Sequence, residues 1–409
     1  MNQADSSIRD TRRQPRFNTL LLSLLLVTSA VAADKPPTPP TPPTPPTPPT
    51  PQTPIAVNDV KPHVLWLADP ARQGRSGDAA RESANYLRDH FRRLKLQPLF
   101  DNSYFQDLPG RPDAKKQPRT VGRNVGAILP GRRSNEIVIL SAHYDHLGVR
   151  KDRLYPGADD NASGVALMLE IARQLANRKT PPERTIAFIG FDLEERLLWG
   201  SRWFAANPPW PLEQVKLFVT ADMVGRSLGN LPLPTVFCLG SEHAPQLRTV
   251  LDRVGVPGGL EVARLGIDLI GTRSDYGPFR DRKVPFLFFS TGEHPDYHTP
   301  RDTPEKVDYP KLAAISNLVL AVLTEVADGR ADPKWTDTVV PGLDEPKALY
   351  RITSLLMEEK RQEGLTDLQK LLISSTQNKC RQILDAGKIT ANDRKWLVRA
   401  SGLLLFSVF

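Results

Sequence analysis

The stretch EIVILSAHYDH, residues 136–146, joins an apolar run to a group of polar side chains. Residues 136–142 are rich in isoleucine, valine and leucine, a pattern typical of a buried β-strand. His143 and Asp145 follow two positions apart, so they lie on one face of an extended chain. In that arrangement one side chain can bind a metal ion while the other orients it. His146 is predicted to point the other way, and we leave it out of the candidate site.

Further apolar runs of the same kind alternate with helical patterns along the chain. The predicted strands are residues 136–142, 185–191, 215–221, 235–239 and 284–290. Helical spacing predicts helices at residues 79–96, 162–176, 244–254 and 309–326, with three more at 346–363, 367–386 and 392–405. Strands separated by helices imply parallel crossovers. The sequence therefore predicts an α/β fold, a three-layer sandwich around a central, mostly parallel mixed sheet.

Acidic residues and a histidine follow the other predicted strands. Asp160 lies in GADDNASG just before a helix, where an aspartate is commonly a helix cap. Glu194 and Glu195 come after the strand at 185–191, and such a pair alone is usually a solvated turn. Asp222 and His298 follow the strands at 215–221 and 284–290. Because ligands collect beyond the carboxyl ends of parallel strands, we expect these side chains to meet at one edge of the sheet.

The combination of imidazoles and carboxylates points to a metal. Two histidines and three carboxylates suit zinc, which accepts nitrogen and oxygen ligands and needs open positions for catalysis. One carboxylate shared by two ions about 3.5 to 4 Å apart would place a water between them and activate it at neutral pH. The sequence thus predicts a centre of two zinc ions.

The ordered motifs HYDH, GADDNASG, EE, ADM and YHTPRDT resemble the co-catalytic two-zinc peptidases. That family includes secreted bacterial leucyl aminopeptidases and glutamate carboxypeptidases. The resemblance covers residues 65–327, and five motifs in the same order make it highly specific.

The resemblance implies a role for each matching residue. Asp160 would bridge the two ions, Asp145 would support His143, and Glu194 would be the general base. The implied metal ligands are His143, Asp160, Glu195, Asp222 and His298.

Two positions depart from the family pattern. Leu197 stands where the turn after the glutamate pair usually has glycine, a difference that bears on how the loop carries Glu194. Tyr276 stands where the family often has histidine in a Ser-Asp-His motif, which here reads Ser274-Asp275-Tyr276. This second change is expected to alter a wall of the pocket or the oxyanion donor.

The implied activity is that of a zinc-dependent exopeptidase, foremost an aminopeptidase acting on peptides with a free N-terminus. A carboxypeptidase or other amide hydrolase with the same two-zinc centre is the alternative, and a non-catalytic binding protein on the same fold is a third. Single-zinc cyclases of this fold lack the first histidine ligand, which His143 supplies here. Fold-level likeness does not decide among these activities.

The N-terminus has the pattern of a secretory signal. Four arginines precede an apolar run at residues 20–27, and Ala30-Val31-Ala32 forms an A-x-A cleavage site. The run is too short to span a bilayer, so we expect no membrane span after signal removal. A periplasmic, envelope-associated or extracellular location follows from this prediction.

Composition divides the chain into four parts. We predict a signal peptide at 1–32, a Pro/Thr-rich spacer at 33–55, a zinc peptidase domain at 56–332 and a helical extension at 333–409. The formal net charge is +8 and is spread along the chain in no block, which argues against a nucleic-acid partner. The two cysteines, Cys238 and Cys380, are predicted to be buried free thiols.

Overall fold

A computed structural model describes residues 53–110, 119–339 and 341–408. The predicted signal peptide and nearly all of the predicted spacer lie outside the described residues. The described residues belong to one compact unit, and the predicted boundary at residue 332 stays a prediction.

A nine-stranded mixed sheet forms the centre of the described chain, and a two-stranded ribbon lies apart from it. The sheet order is β1-β3-β7-β4-β8-β11-β9-β10, and β2 pairs with β3. The strands are β1 (Gln97–Pro98), β2 (Phe105–Pro109), β3 (Thr120–Leu129), β4 (Arg133–His143), β5 (Gly148–Arg150), β6 (Arg153–Tyr155), β7 (Arg184–Phe191), β8 (Val215–Ala221), β9 (Thr235–Leu239), β10 (Glu261–Leu265) and β11 (Phe286–Ser290).

Four neighbouring strands in the middle of the sheet, β7, β4, β8 and β11, run parallel. His143 at the end of β4 lies beside Phe191 at the end of β7, and Phe289 of β11 lies beside Ala221 of β8. The carboxyl ends of these strands therefore meet at one edge. Both flanks are antiparallel, because β3 pairs with β7 and β9 with β11 in that sense.

Helices cover both faces of the sheet. Leu140 and Phe188 pack into one buried cluster and the adjacent Ile139 and Ile189 into another, as expected when successive side chains alternate across a strand. This confirms the predicted three-layer α/β fold. The helices are α1 (Val57–Leu67), α2 (Ala80–Arg93), α3 (Gly164–Ala176), α4 (Trp199–Ala206), α5 (Pro245–Val254), α6 (Gly277–Arg280), α7 (Tyr309–Ala327), α8 (Asp344–Leu356), α9 (Asp367–Asp385) and α10 (Ala391–Ser407).

The sequence patterns predicted the flanking strand β9 but missed the sheet strands β1, β2, β3 and β10 and the helices α1 and α4. Strand β3 contains Gly122, Arg123, Asn124 and Gly126, so it lacks the continuous apolar run that revealed the central strands. It forms because it pairs with β7 on one side and with β1 and β2 on the other. The local composition therefore does not indicate β3, which forms through pairing with other strands of the sheet.

Helix α7 is long and apolar enough to cross a membrane, and it is the one described helix with these properties. Sixty-seven per cent of its apolar window is buried inside the protein, as in the core helix of a globular domain. Cys238 and Cys380 are free and buried, as predicted.

The three C-terminal helices are attached to the sheet through a charged cluster. Glu345 of α8 accepts a hydrogen bond from the backbone amide of Gly266 at 2.9 Å, just after β10. Arg394 of α10 donates to both oxygens of Glu345 at 3.1 Å and also pairs with Asp268. Glu345 is buried, so this cluster holds α8 and α10 in a defined place.

We expect Arg394→Ala to lower the free energy of unfolding by about 3 kcal/mol, because it leaves the buried Glu345 carboxylate without its charged partner. Arg399→Ala, an exposed arginine of the same helix, is the matched control and should change stability by less than about 0.5 kcal/mol. Urea unfolding of both variants measures the difference. Equal effects would show that the cluster does not anchor the helices.

Candidate metal centre

All five predicted ligands converge at the carboxyl edge of the central strands. His143 ends β4, Asp222 follows β8, and Glu195 and His298 lie on the loops after β7 and β11. Asp160 lies in the turn that leads into α3. Because the four strands are parallel neighbours, residues up to 155 positions apart in the chain reach the same place.

The first group of ligand atoms surrounds Nε2 of His143. This nitrogen lies 3.3 Å from Oδ1 of Asp160 and 3.3 Å from Oδ1 of Asp222. All three side chains are buried. Their ligand atoms fall within 4.8 Å of one another, close enough to share one metal ion.

The second group surrounds the other oxygen of Asp160. Nε2 of His298 lies 3.1 Å from Oδ2 of Asp160 and 3.1 Å from Oε2 of Glu195. Nδ1 of His146 lies 3.7 Å from the same Asp160 oxygen and 2.8 Å from Oε1 of Glu195. Asp160 therefore turns one oxygen toward each group, as a bridging carboxylate must.

The prediction that His146 points away from the other candidate residues was wrong. Its side chain is fully buried and belongs, with Asp160 and Glu195, to the second cluster that could hold a metal ion. The prediction assumed that strand alternation continues past His143, but β4 ends there and residues 144–147 are irregular. The adjacent histidine in HYDH was the available signal, and only the end of the strand decides where it points.

The donor set fits zinc. Tetrahedral zinc with bonds of about 2.0 to 2.1 Å separates its ligand atoms by about 3.3 Å, close to the observed 3.1 to 3.7 Å around Asp160. Both ring nitrogens of His146, Oδ2 of Asp160 and Oε1 of Glu195 are buried and lack a hydrogen-bond partner among the described residues. Buried polar atoms are normally paired, and a cation held by Oδ2 of Asp160, Oε1 of Glu195 and one nitrogen of His146 would supply a partner to three of these four atoms.

The electrostatics of the cluster also favour a cation. Burial alone would lower the pKa of His143, but the carboxylates of Asp222 and Glu194 raise it well above its usual value. Burial would lower the pKa of His298 as well, yet its contacts with Asp160 and Glu195 raise it to about 10. Burial raises the pKa of Asp222. The raised pKa values of His143 and His298 express the buried negative charge around these rings, which a divalent ion would offset.

Neighbouring groups hold the ligand loops in place. The carboxylate of Asp302 accepts hydrogen bonds from the backbone amides of Asp159 and Asp160 at 3.0 Å. The buried Arg75 side chain donates to the carbonyl oxygens of Tyr144 and Gly157, both at 2.8 Å. These contacts join the HYDH loop to the loop that carries Asp160.

Asp145 connects β4 to the glutamate pair. Its carboxylate accepts hydrogen bonds from the amides of Glu194 at 3.1 Å and Glu195 at 3.4 Å. Its Oδ1 lies 3.6 Å from Nδ1 of His143. One carboxylate therefore both faces the back of the histidine ring and fixes the loop that carries Glu194.

The two departures from the family pattern have local explanations. Leu197 adopts a left-handed backbone with φ of 61° and its side chain is 79% exposed, so it takes the conformation that glycine would take there. This costs about 1 kcal/mol but keeps the turn. The hydroxyl of Tyr276 donates to the carbonyl of Gly271 and accepts from the amide of Arg273, so it shapes a loop beside the cluster.

A cavity of about 140 Å³ opens next to the cluster. Asp160, Glu194 and Asp222 line one end of it, and apolar side chains line most of the remainder. A water and a bound molecule could therefore reach both the acids and an apolar pocket.

Comparisons with known proteins agree with this geometry. Residues 124–323 match the model of Peptidase family M28. Over 209 residues the chain is 30% identical to aminopeptidase YwaD of Bacillus subtilis, a match that covers 49% of this chain. The chain spans only 43% of that relative's length.

Two solved structures share the fold. A zinc aminopeptidase from Bacillus subtilis superposes with a TM-score of 0.53 at 17% identity, covering 70% of this chain and 99% of that one. A glutaminyl cyclase from Porphyromonas gingivalis gives 0.53 at 20% identity, covering 67% and 100%. At such identities the similarity shows the fold alone. The two solved structures have different activities, since one is an aminopeptidase and the other a glutaminyl cyclase.

We expect His146→Gln to weaken zinc retention at least tenfold, because it removes a nitrogen donor from the second cluster. His63→Gln is the control, since His63 is also buried but bonds to Glu170 and Tyr86 away from the cluster. Competition with a chelator of known affinity, followed by zinc analysis, measures the effect. Wild-type retention in His146→Gln would exclude this residue from metal binding.

Proposed function

We propose, on the premise that residues 124–323 belong to peptidase family M28, that the protein is a zinc-dependent aminopeptidase. It would hydrolyse the first peptide bond of a substrate with a free N-terminus.

The charge of the cavity supports an amine-binding site over a carboxylate-binding one. Four carboxylates line it, those of Asp160, Glu194, Asp222 and Glu293. Among the described lining residues Arg273 is the one cation, and its guanidinium already lies 3.0 Å from Glu293. With Asp160 and Asp222 bound to zinc, Glu194 and Glu293 would remain as acidic neighbours for a free α-ammonium, whereas the described lining residues offer no unpaired cation for the C-terminal carboxylate of a carboxypeptidase substrate.

We further propose two zinc ions per chain, with Asp160 between them. Two divalent cations would offset four of the five negative charges gathered at this edge. When bound, zinc acts as a Lewis acid toward the substrate carbonyl and makes a neighbouring water more acidic. The carboxylates concerned are those of Asp145, Asp160, Glu194, Glu195 and Asp222.

Glu194 is suited to proton transfer. It lines the cavity beside Asp160 and Asp222. Burial, together with the nearby carboxylates of Asp222 and Asp275, raises its pKa well above the usual value. A carboxylate of raised pKa holds an acquired proton firmly enough to take it from water and then deliver it to the leaving amine. Asp145 would act indirectly, through His143 and the loop of Glu194.

Export is a separate proposal that rests on the N-terminal sequence. The arginines, the short apolar run and the A-x-A site have the order of a secretory signal. We expect protein recovered from an expressing bacterium to begin at residue 33, as determined by N-terminal sequencing. A recovered chain that still starts at Met1 would contradict this.

The activity is tested with two matched peptides and zinc analysis. Leu-Gly-amide offers a free amine with a blocked carboxyl, and acetyl-Gly-Leu offers the reverse. We expect about two zinc ions per chain, hydrolysis of Leu-Gly-amide alone, loss of turnover after chelation and recovery with added zinc. Hydrolysis of acetyl-Gly-Leu alone would indicate a carboxypeptidase, and bound zinc without turnover of either peptide would indicate a binding protein.

Glu194→Gln is the matched active-site variant, because it removes the titrating carboxyl and keeps the shape of the side chain. It should retain zinc and lose at least 100-fold in kcat. Glu213→Gln, an exposed glutamate away from the cavity, should behave as wild type. Near-normal kcat in Glu194→Gln would refute its assigned role.

A further inference from the structure

The cavity beside the metal cluster runs from the acids to the C-terminal helices. Its near end is lined by Glu194 and Asp222, and its far end by Leu349 and Ile352 of α8 and Leu404 of α10. These helices follow the region that matches the peptidase family, which ends at residue 323. The extension is therefore part of the pocket wall, although the family match does not include it.

The far part of the cavity is apolar. Phe237, Leu239 and Phe288 from the sheet face it together with the helix residues. The whole cavity has a volume of about 140 Å³, close to the roughly 150 Å³ of an engineered apolar cavity that binds benzene. A branched or aromatic side chain would fill such a space, whereas a methyl group would leave most of it empty.

The far wall is held firmly. Ile352 and Leu404 are buried in the same apolar cluster as Phe237 and Phe288. The charged contacts among Glu345, Arg394 and Asp268 fix both helices to the segment after β10. A fixed wall can discriminate between side chains by size, because the pocket does not collapse around a smaller one.

We propose that α8 and α10, which lie outside the family match, form the far wall of the substrate pocket and set the size of the N-terminal side chain that the enzyme accepts. This inference rests on the proposed aminopeptidase function. The α-amine lies at the acidic end of the cavity, and the side chain of the same residue extends toward Ile352, Leu404 and Leu405.

The test compares leucine p-nitroanilide with alanine p-nitroanilide. Wild type should favour the leucine substrate at least tenfold in kcat/KM, since one methylene in an apolar pocket changes this constant by about 10- to 200-fold. Leu404→Ala and Leu405→Ala should each lower the leucine-to-alanine ratio about tenfold, because they remove contacts made only with the larger side chain. Leu405 is partly exposed, so its variant should fold if Leu404→Ala does not.

Ile383→Ala is the matched control. Ile383 is buried in the same extension, where it packs with Leu349, Cys380 and Leu397, and it does not line the cavity. It should leave the ratio within twofold of wild type. A merely structural role of the extension would lower kcat/KM for both substrates equally, and an unchanged ratio in both wall variants would overturn the proposal.

Failure of the proposed function is distinguished by a binding measurement. If zinc-loaded wild type hydrolyses neither substrate, calorimetry compares 3-methylbutylamine with ethylamine, which carry the leucine and alanine side chains on an amine. The pocket assignment predicts tighter binding of 3-methylbutylamine by at least tenfold, reduced in Leu405→Ala. Equal binding of the two amines would overturn it.

Discussion

The carboxylate of Asp160 is the constraint on which the remaining structure depends. One of its oxygens lies 3.3 Å from His143 and the other 3.1 Å from His298, so it joins two groups of ligand atoms in a buried place. Burial would raise its pKa, yet the contacts with histidines lower it well below the usual value. The surrounding backbone must therefore hold a charge where water cannot stabilise it.

That backbone is held by groups outside the two clusters of candidate ligand atoms. Arg75 and Asp302 bind the loop around Asp160, and the side-chain amide of Asn161 in this loop donates to the carbonyl of Ala221 at the end of β8. Buried carboxylates close to one another repel, so the cluster by itself lowers the free energy of unfolding. A metal ion that binds the folded state would add its binding free energy to folding stability.

The sheet positions the candidate metal ligands, and the C-terminal helices line the pocket that we propose selects the substrate side chain. Four parallel strands bring the metal-binding side chains to one edge, as open α/β sheets generally do. The apolar pocket beside that edge is completed by α8 and α10, which are anchored through Glu345 and Arg394. Candidate metal ligands at the sheet edge are thus combined with a pocket wall from outside the family match, and such a combination is one way in which a fold can serve different substrates.

The sequence by itself determined the central strands and most of the residues that meet in the two candidate metal-binding clusters. Continuous apolar runs end at His143, Asp222 and the glutamate pair, and this pattern is local. Only the tertiary structure decided the place of His146, because that depends on where β4 stops, and the presence of strand β3, which forms through pairing with β7, β1 and β2. It also decided that residues near Leu404 wall a pocket beginning at Glu194. Contacts between segments some two hundred residues apart arise from packing, and no local spacing encodes them.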